Sequence, residues 1–524
     1  MLTNDTWTYR YPEGFVKHLE QIAWKDDSGQ RYQFSDVVAT TVWFKQALKQ
    51  RGVVEKSRVI LFIQPGFQLV CALNAIYSIG ATAVFIDPWL SRPKAMRLIR
   101  QLEGELWLVD PVFKPLLTVL RPFLGKKRWV LSTIGSLSGT EWTIDMRALD
   151  TAAFLSFTSG STGKPKVVKR SYAFLSAQFT VARKYWGKSP LKESSPFFVA
   201  MMAALRLGNS VCYPSQKAVK SKTAGPFFLA QLQQENIERI FVAPHLWDQL
   251  LTQIEAHHFP TSLKQVIVGG APISRALVKR SLHYRCAFEG QLVYGSTEVE
   301  PIALCSFEAF LAADPLLGVY VGKPIDEIEL KLIPPHLHPL DSTALQQELT
   351  IGEVTVCGHH VCTEYHDSEI DFKRNKIIDS EGRVWHRTGD IGQLRDGKLY
   401  LLGRINRILQ KDGKSFYPFP LEMSVQESTS LSDVGIIQLP TKEIICCIGG
   451  CVTTAEQNMD WSALAIKHDW PFDAVVLLKQ ALPRDERHQS KLVVSSLLQL
   501  LTSPLTAWYR KKTIYIRSTN GKRS

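Results

Sequence analysis

The stretch Phe157-Thr158-Ser159-Gly160-Ser161-Thr162-Gly163-Lys164-Pro165-Lys166 concentrates groups that bind phosphate. Its glycines let backbone N–H groups approach an anion closely. The hydroxyls of Thr158, Ser159, Ser161 and Thr162 donate further hydrogen bonds, and Lys164 or Lys166 balances the charge. The apolar run Ala152–Phe157 precedes it, so the loop leaves a strand. A flexible Ser/Gly linker would use the same small residues, but needs neither that strand nor the Lys-Pro-Lys that follows. The spacing of a Walker A loop is absent, as is the GxSxG elbow of a serine nucleophile. A second glycine turn, Gly269-Gly270-Ala271-Pro272, follows the short β-branched strand Gln265–Val268. It therefore lies at the carboxyl end of a strand, where α/β folds bind ligands. The pairs His257-His258 and His359-His360 hold less promise as metal ligands. Neighbours on a strand face opposite ways, and no carboxylate set accompanies them.

These loops need a scaffold. Apolar runs of strand length alternate with helical stretches through the first half: Arg58–Ile63, Leu106–Val109, Val199–Ala204 and Arg239–Ala243. Such alternation predicts an α/β fold with largely parallel sheets. Val59–Ile86 carries no charge and is long enough to cross a bilayer. Gln64-Pro65-Gly66 interrupts it, however, and the expectation is strand, turn, buried helix and strand inside a core. Phe197–Leu207 suits an acyl pocket and core packing equally well. Beyond residue 350, Ile351–Gly358 and Lys398–Leu402 read as strands and Gly403–Lys414 as a basic linker. The remainder reads as one small domain with strands Val434–Gln438 and Ile444–Ile448, and Arg510–Ser524 as a frayed basic end.

A chain of 524 residues holds two or three domains. With 45% hydrophobic and 21% charged residues, it can bury a large core, which excludes wholesale disorder. The net charge of +13 favours anionic partners such as nucleotides, CoA, nucleic acid or an acidic membrane. Dispersed lysines and arginines without a reading motif argue against nucleic acid. Nine cysteines are scattered. Cys446, Cys447 and Cys451 fall in an apolar run, and Cys357 and Cys362 lack a second pair at metal-binding spacing. Neither a disulfide framework nor a zinc site is expected, and a reducing cytoplasm fits best. Met1–Arg10 is polar, without a signal-peptide core.

Set in that scaffold, Thr158–Lys166 resembles the signature loop of the acyl-adenylate-forming superfamily, which includes acyl-CoA synthetases, peptide-synthetase adenylation domains and beetle luciferases. Further matches come in the family's order. Gly269-Gly270-Ala271-Pro272 resembles its adenine-wall segment, and Tyr294-Gly295-Ser296-Thr297-Glu298 its YGxTE motif. Gly352-Glu353-Val354-Thr355-Val356-Cys357-Gly358 resembles GExxVxG, and Thr388-Gly389-Asp390 the TGD before the hinge. Gly403-Arg404 opens the linker motif, and Ser490-Lys491 stands where the family has Gly-Lys.

The resemblance implies a large multi-layer N-terminal α/β domain, residues 1–403, and a small mobile α+β C-terminal domain, residues 404–524, with the ATP site between them. It implies attack of a carboxylate on the α-phosphate of ATP with release of pyrophosphate. Two anions must then meet, and cations and donors must neutralise both. By the same resemblance Thr158, Ser159, Gly160, Ser161, Thr162, Gly163, Lys164 and Lys166 hold phosphate. Gly270, Ala271 and Pro272 wall the adenine, on which Tyr294 stacks. Gly295 belongs to the nucleotide site, Thr297 offers a hydroxyl to the α-phosphate, and Glu298 offers a hard oxygen to magnesium. Asp390 accepts from two ribose hydroxyls, Arg404 reaches ribose or phosphate, and Lys491 stabilises charge at the bridging oxygen, with Glu298 and Thr158 sharing the chemical step. The plainer alternatives are a surface carboxylate at Glu298, a core ring at Tyr294, a turn aspartate at Asp390, a solvated arginine at Arg404 and a surface lysine at Lys491.

Two departures matter. Asn406 stands where many relatives have a hinge aspartate; asparagine tolerates changed torsions, so rotation there is possible. Pro483–Lys491 has an Arg-His-x-Ser-Lys form, and Trp385-His386-Arg387 precedes Thr388. Both resemble the branch of bacterial fatty-acyl CoA ligase-like proteins and the β-lactone synthetases of olefin biosynthesis. The expected function is ATP- and magnesium-dependent activation of a carboxylic, expectedly fatty, acid, then transfer to CoA. Closure of a β-hydroxy acid to a β-lactone is the runner-up, and loading of an acyl carrier protein thiol the third. A non-catalytic nucleotide-binding protein is disfavoured by the presence of the loop, Glu298 and Lys491.

Overall fold

The computed structural model describes residues 6–7, 18–85, 106–113, 128–131, 147–148, 150–158, 166–187, 191–214, 224–366, 368–429, 431–450, 458–484, 492–502 and 510–515. The uncharged run beginning at Val59 folds as its interruptions dictate. Strand Arg58–Phe62 leads through Pro65 and Gly66 into helix Phe67–Ile79, and strand Thr82–Phe85 returns parallel to the first. The helix is buried on nearly every face and stops at Gly80, whose φ of 76° gives a left-handed cap. Among the described residues no helix is long and apolar enough to cross a membrane.

Those strands belong to a seven-stranded sheet. Arg58–Phe62 lies between Thr82–Phe85 and Leu106–Val109, and Leu106–Val109 is followed by Arg128–Leu131, all parallel. On the other side Ala152–Thr158 joins Thr82–Phe85 in parallel, and the sheet then turns antiparallel through Lys166–Ser171 to the short edge strand Glu364–Tyr365. A second, fourteen-stranded sheet has parallel strands Arg239–Val242, Gln265–Gly269 and Glu289–Ser296. Glu289–Ser296 then folds back as Val299–Ser306, and the sheet continues antiparallel through Val319–Pro324, Lys398–Arg404, Val384–Arg395, Ile351–Cys357 and Glu329–Ile333. Two large apolar cores fill the space around the sheets: one, around Trp247, Leu250 and Phe307, lies on the fourteen-stranded sheet, and the other, around Trp24, Phe44 and Leu73, draws strand residues from both sheets. The alternation of strand and helix read from the sequence gives this α/β architecture.

Past Arg404 come a 3₁₀ turn, Ile405–Arg407, a hairpin of Leu409–Lys411 with Lys414–Phe416, helix Pro418–Thr429, and a four-stranded sheet. The division expected after Gly403 falls within strand Lys398–Arg404. Cys446 and Cys447 sit buried in strand Ile444–Ile448, as their apolar run predicts, and Cys451 lies outside the described residues.

Three expectations need correction. Val199–Ala204 is part of helix Phe198–Arg206, because Met201-Met202-Ala203-Ala204-Leu205 are strong helix formers without β-branching. The stretch Gly403–Lys414 is not a plain linker, since both its ends are paired in strands. Nor is the basic terminus wholly frayed: Arg510–Tyr515 pairs antiparallel with Ala474–Leu478 at the edge of the small sheet.

Candidate active site

Strands Ala152–Thr158 and Lys166–Ser171 form a hairpin in which Thr158 faces Lys166 across the ladder. The two ends of the phosphate loop therefore stand side by side. Ser159, Gly160, Ser161, Thr162, Gly163 and Lys164 lie outside the described residues, as does Lys491. Of Thr158 the backbone is described. Lys166 is half-buried, and its Nζ donates to Asn375 Oδ1 at 2.9 Å.

The other sheet brings its own turn to this edge. Ser296 pairs with Val299, so Thr297 and Glu298 are the two loop residues of a tight hairpin. Gly295 is needed just before it, because a Cβ there would lie 2.8 Å from the Val299 carbonyl oxygen. The sheets are stitched together at this turn. Arg170 Nη2 donates to the Thr297 carbonyl at 2.8 Å, the Cys362 N–H donates to the Glu298 carbonyl at 2.7 Å, and the Tyr365 hydroxyl donates to Glu298 Oε1 at 3.2 Å.

Glu298 sits among cations. Lys376 Nζ lies 5.2 Å and Lys166 Nζ 5.8 Å from the centre of the Tyr365 ring, whose hydroxyl holds Glu298. Burial alone would raise the Glu298 pKa, but His386, Lys376 and Lys166 outweigh it and hold the carboxyl below its ordinary range. His386 is itself pushed down to about 3, first by burial and then by Lys376. The Lys376 ammonium, which donates to the Cys362 carbonyl, is lowered by its burial.

A second cluster adjoins the first. Tyr294 donates its hydroxyl to Asp390 Oδ2 at 2.8 Å, and Arg404 Nη1 donates to Asp390 Oδ1 at 2.8 Å and to the Thr388 carbonyl at 3.2 Å. A carboxylate has about four lone-pair sites, so Asp390 retains acceptor capacity for a diol beyond these two bonds. Asp390 holds the Arg404 pKa above its usual value, and Arg404 lies within electrostatic reach of Glu298 and Lys166. Burial, then Asp390, pushes the Tyr294 hydroxyl well up, so it remains a donor. Behind Asp390, Arg387 Nε and Nη2 grip Glu353 Oε2 at 2.9 and 2.6 Å, and Glu353 Oε1 accepts the Gly389 N–H at 3.1 Å.

Gly270, at the end of Gln265–Gly269, has φ +85°, a left-handed conformation that favours glycine. A Cβ there would lie 3.7 Å from the Phe197 ring. Ala271 and Pro272 continue the loop toward helix Arg275–Ser281. Phe197 stands edge-on to Phe241, and Phe241 edge-on to Trp186. Within the stretch Phe197–Leu207, then, Phe197 reaches the Gly270 turn while Met201, Ala204 and Leu205 fill a core.

The structure thus gathers Lys166, Thr297 and Glu298 at one turn, and Tyr294, Asp390 and Arg404 beside it. The sequence reading missed Arg170, Tyr365, Asn375 and Lys376 as parts of this site. None stands in a recognisable motif, and each arrives through strand pairing from a distant stretch. His386 was visible only as a branch marker. Such an arrangement of donors and cations around two carboxylates suits a polyphosphate with its metal and a vicinal diol.

Comparison with known proteins agrees with that chemistry. Residues 13–366 match the family described as AMP-binding enzyme. A 2-succinylbenzoate–CoA ligase of Bacillus cereus is 25% identical over 501 residues, covering 90% of this chain and 94% of that protein. Among solved structures, the amide bond synthetase McbA from Marinactinospora thermotolerans superposes with a TM-score of 0.77 at 19% identity, over 94% of this chain and 99% of the other. The O-succinylbenzoate CoA synthetase MenE from Bacillus subtilis, in complex with ATP and magnesium ion, gives 0.74 at 19% identity, over 94% and 99%.

Proposed function

The chain belongs to the AMP-binding enzyme family, and from that premise we propose that it joins a carboxylic acid to AMP, releases pyrophosphate, and passes the acyl group to CoA. The observation that carries this reading is the meeting of the Thr297–Glu298 turn with Lys166 and with the Tyr294–Asp390–Arg404 cluster at two adjoining sheet edges. In this reading Asp390 accepts from the ribose hydroxyls. Tyr294 and Arg404 orient that carboxylate, and Thr297, Lys166 and the loop through Lys164 receive the phosphates. Lys491 neutralises the bridging oxygen as the carboxylate oxygen bonds to the α-phosphorus and pyrophosphate leaves. The CoA thiolate then attacks the acyl carbon and AMP departs. The described cysteines are free, which suits the reducing cytoplasm where ATP and CoA are supplied.

The residues present fit magnesium. That ion is usually held by one or two carboxylates together with substrate phosphates and waters, not by a protein cage. Glu298 is an ionised carboxylate beside the loop, and among the described residues no cluster of three metal-ligating side chains competes for the role. Bound there, the ion would neutralise phosphate charge. The neighbouring lysines repel a bare cation but attract a nucleotide-bound one, whose complex is anionic.

The acid in this reading is apolar, from the Phe197 ring beside Gly270 and the Phe241 and Trp186 rings that follow it edge-on. The fatty chain expected from the sequence finds no support in the names of the relatives, which are 2-succinylbenzoate ligases. One experiment tests the whole reading: protein, ATP and magnesium with a panel of fatty, β-hydroxy and aryl acids, with and without CoA, products identified by mass. The reading expects acyl-AMP and pyrophosphate without CoA, and a thioester with it. A CoA-independent product from a β-hydroxy acid, with no thioester from any acid, overturns the second step in favour of lactone closure. Absence of acid-dependent pyrophosphate overturns the first.

A further inference from the structure

We propose that Arg170 is a positioning residue for adenylation: its buried guanidinium fixes the Thr297–Glu298 turn to the strand that carries the phosphate loop. The proposal rests on the adenylation reading above. It begins with the turn. Two-residue hairpin loops are ordinarily stable because one or both loop residues adopt positive φ, which matches the twist of the strands. Neither Thr297 nor Glu298 does so. A turn without its favoured torsions depends on bonds from outside, and here they come from two places. Cys362 N–H holds the Glu298 carbonyl at 2.7 Å, and Arg170 Nη2 holds the Thr297 carbonyl at 2.8 Å.

Arg170 is an expensive residue for this task, which argues that it is there for the turn. It is 7% exposed, with its guanidinium 5.7 Å from the ring centres of both Phe154 and Phe174. Among the described residues its Nε has no hydrogen-bond partner. A filler at this position would be apolar, since burying a charge costs heavily unless it is paired. Glu300 and Glu298 lie close enough to offset part of the charge. The two aromatic faces aim the planar group, as they would not aim a lysine. Arg170 lies on the same face of strand Lys166–Ser171 as Lys166 and Val168, and Val168 pairs with Tyr365, whose hydroxyl meets Glu298. One strand therefore delivers the end of the phosphate loop and the brace for the turn, fixing their separation.

The test compares wild type, Arg170→Leu and Arg170→Lys by acid-dependent pyrophosphate release, with thermal unfolding to confirm folding. The kcat and the separate KM values for magnesium–ATP and for the acid are measured. Leucine fills the space between the phenyl rings and removes the donor. Arg170→Leu is expected to lose about 10²-fold in kcat, the scale of losing one stabiliser that the turn places, with a raised magnesium–ATP KM and the acid KM within about twofold. Arg170→Lys, which keeps charge without the aimed fork, is expected to lose about tenfold. A folded Arg170→Leu within threefold of wild type in kcat and magnesium–ATP KM overturns the proposal, as does an equal shift in all three constants, the mark of general loosening. If Arg170→Leu does not fold, Arg170→Lys decides by the same constants: kcat within threefold of wild type overturns, and a tenfold loss with the acid KM unmoved supports. A wild type that releases no pyrophosphate sinks the adenylation reading and this one with it. An active wild type matched by Arg170→Leu sinks this one alone.

Discussion

A carboxylate that is to hold a metal must be ionised when the metal arrives, and at Glu298 two opposing effects bear on that condition. Burial favours the protonated acid, whereas His386, Lys376 and Lys166 favour the anion and together prevail. Replacing Glu298 by glutamine removes the charge and keeps the shape. Acid-dependent pyrophosphate release should then fall by about 10²-fold, the scale of one lost electrostatic stabiliser. Near-normal release from a folded Glu298→Gln protein excludes a metal role for this residue. Tyr365→Phe deletes one hydrogen bond to the same carboxylate and should cost about fivefold, from a contribution of about 1 kcal/mol. The same pyrophosphate assay checks it, and no change would mean that Tyr365 merely packs. At this scale the sequence was legible where residues cluster in one stretch, as in Tyr294–Glu298 and Thr388–Asp390. It was illegible where partners lie far apart along the chain. Arg170 and Thr297 are separated by 127 positions, and Tyr365 and Glu298 by 67, so no local spacing announces them.

Between residue and molecule, the ladder of Ile351–Cys357 and Val384–Arg395 shows how an element places a functional group. Glu353 and Arg387 project from adjoining strands, each side chain 3% exposed, and close an ion pair at 2.6 Å. The free oxygen of Glu353 then takes the Gly389 N–H, which sets the chain direction into Asp390. Glu353→Ala leaves Arg387 charged and buried without its anion, although three carbonyls still accept from it. Denaturant unfolding should show a loss of about 3 kcal/mol or more, the usual cost of breaking a buried pair from one side. A loss below about 1 kcal/mol would mean that the carbonyls alone satisfy the guanidinium. The ladder itself was readable in advance, since Ile351–Gly358 alternates and is β-branched. Helix Phe198–Arg206 was not, because a short apolar run has no period that separates helix from strand. Strand Arg510–Tyr515 was misread for a related reason: its composition suggests solvent, while its partner Ala474–Leu478 supplies the order.

At the scale of the whole molecule, the proposed function has the part beyond Arg404 serve two chemical steps, and the structure shows what joins it to the rest. Helix Pro418–Thr429 lays Phe419 and Met423 against the large core, and Glu427 pairs with Arg275 at 3.0 Å and Lys279 at 3.2 Å. We propose that residues 404–524 turn as a unit about Asn406, which lies in the 3₁₀ turn Ile405–Arg407, exchanging Lys491 for another face once the adenylate has formed. Lys491→Ala should then lose activity from acid and ATP but still convert a supplied acyl-adenylate to the thioester. Equal loss in both assays would assign the lysine some other role. The face that replaces it is expected to be the hairpin turn at Asp412-Gly413, where φ is +50° and +73° and a Cβ on Gly413 would meet nothing within 4 Å. In this conformation the turn is open, so leucine at 413 adds only torsional strain of about 1 kcal/mol and leaves adenylation intact. After rotation the same side chain would stand in the path of the pantetheine arm. Gly413→Leu should therefore release pyrophosphate at close to the wild-type rate in single turnover while forming no thioester. If it forms thioester normally, the turn does not face the CoA channel. If it loses adenylation as well, the hairpin is already part of the first step and the proposed division of labour fails.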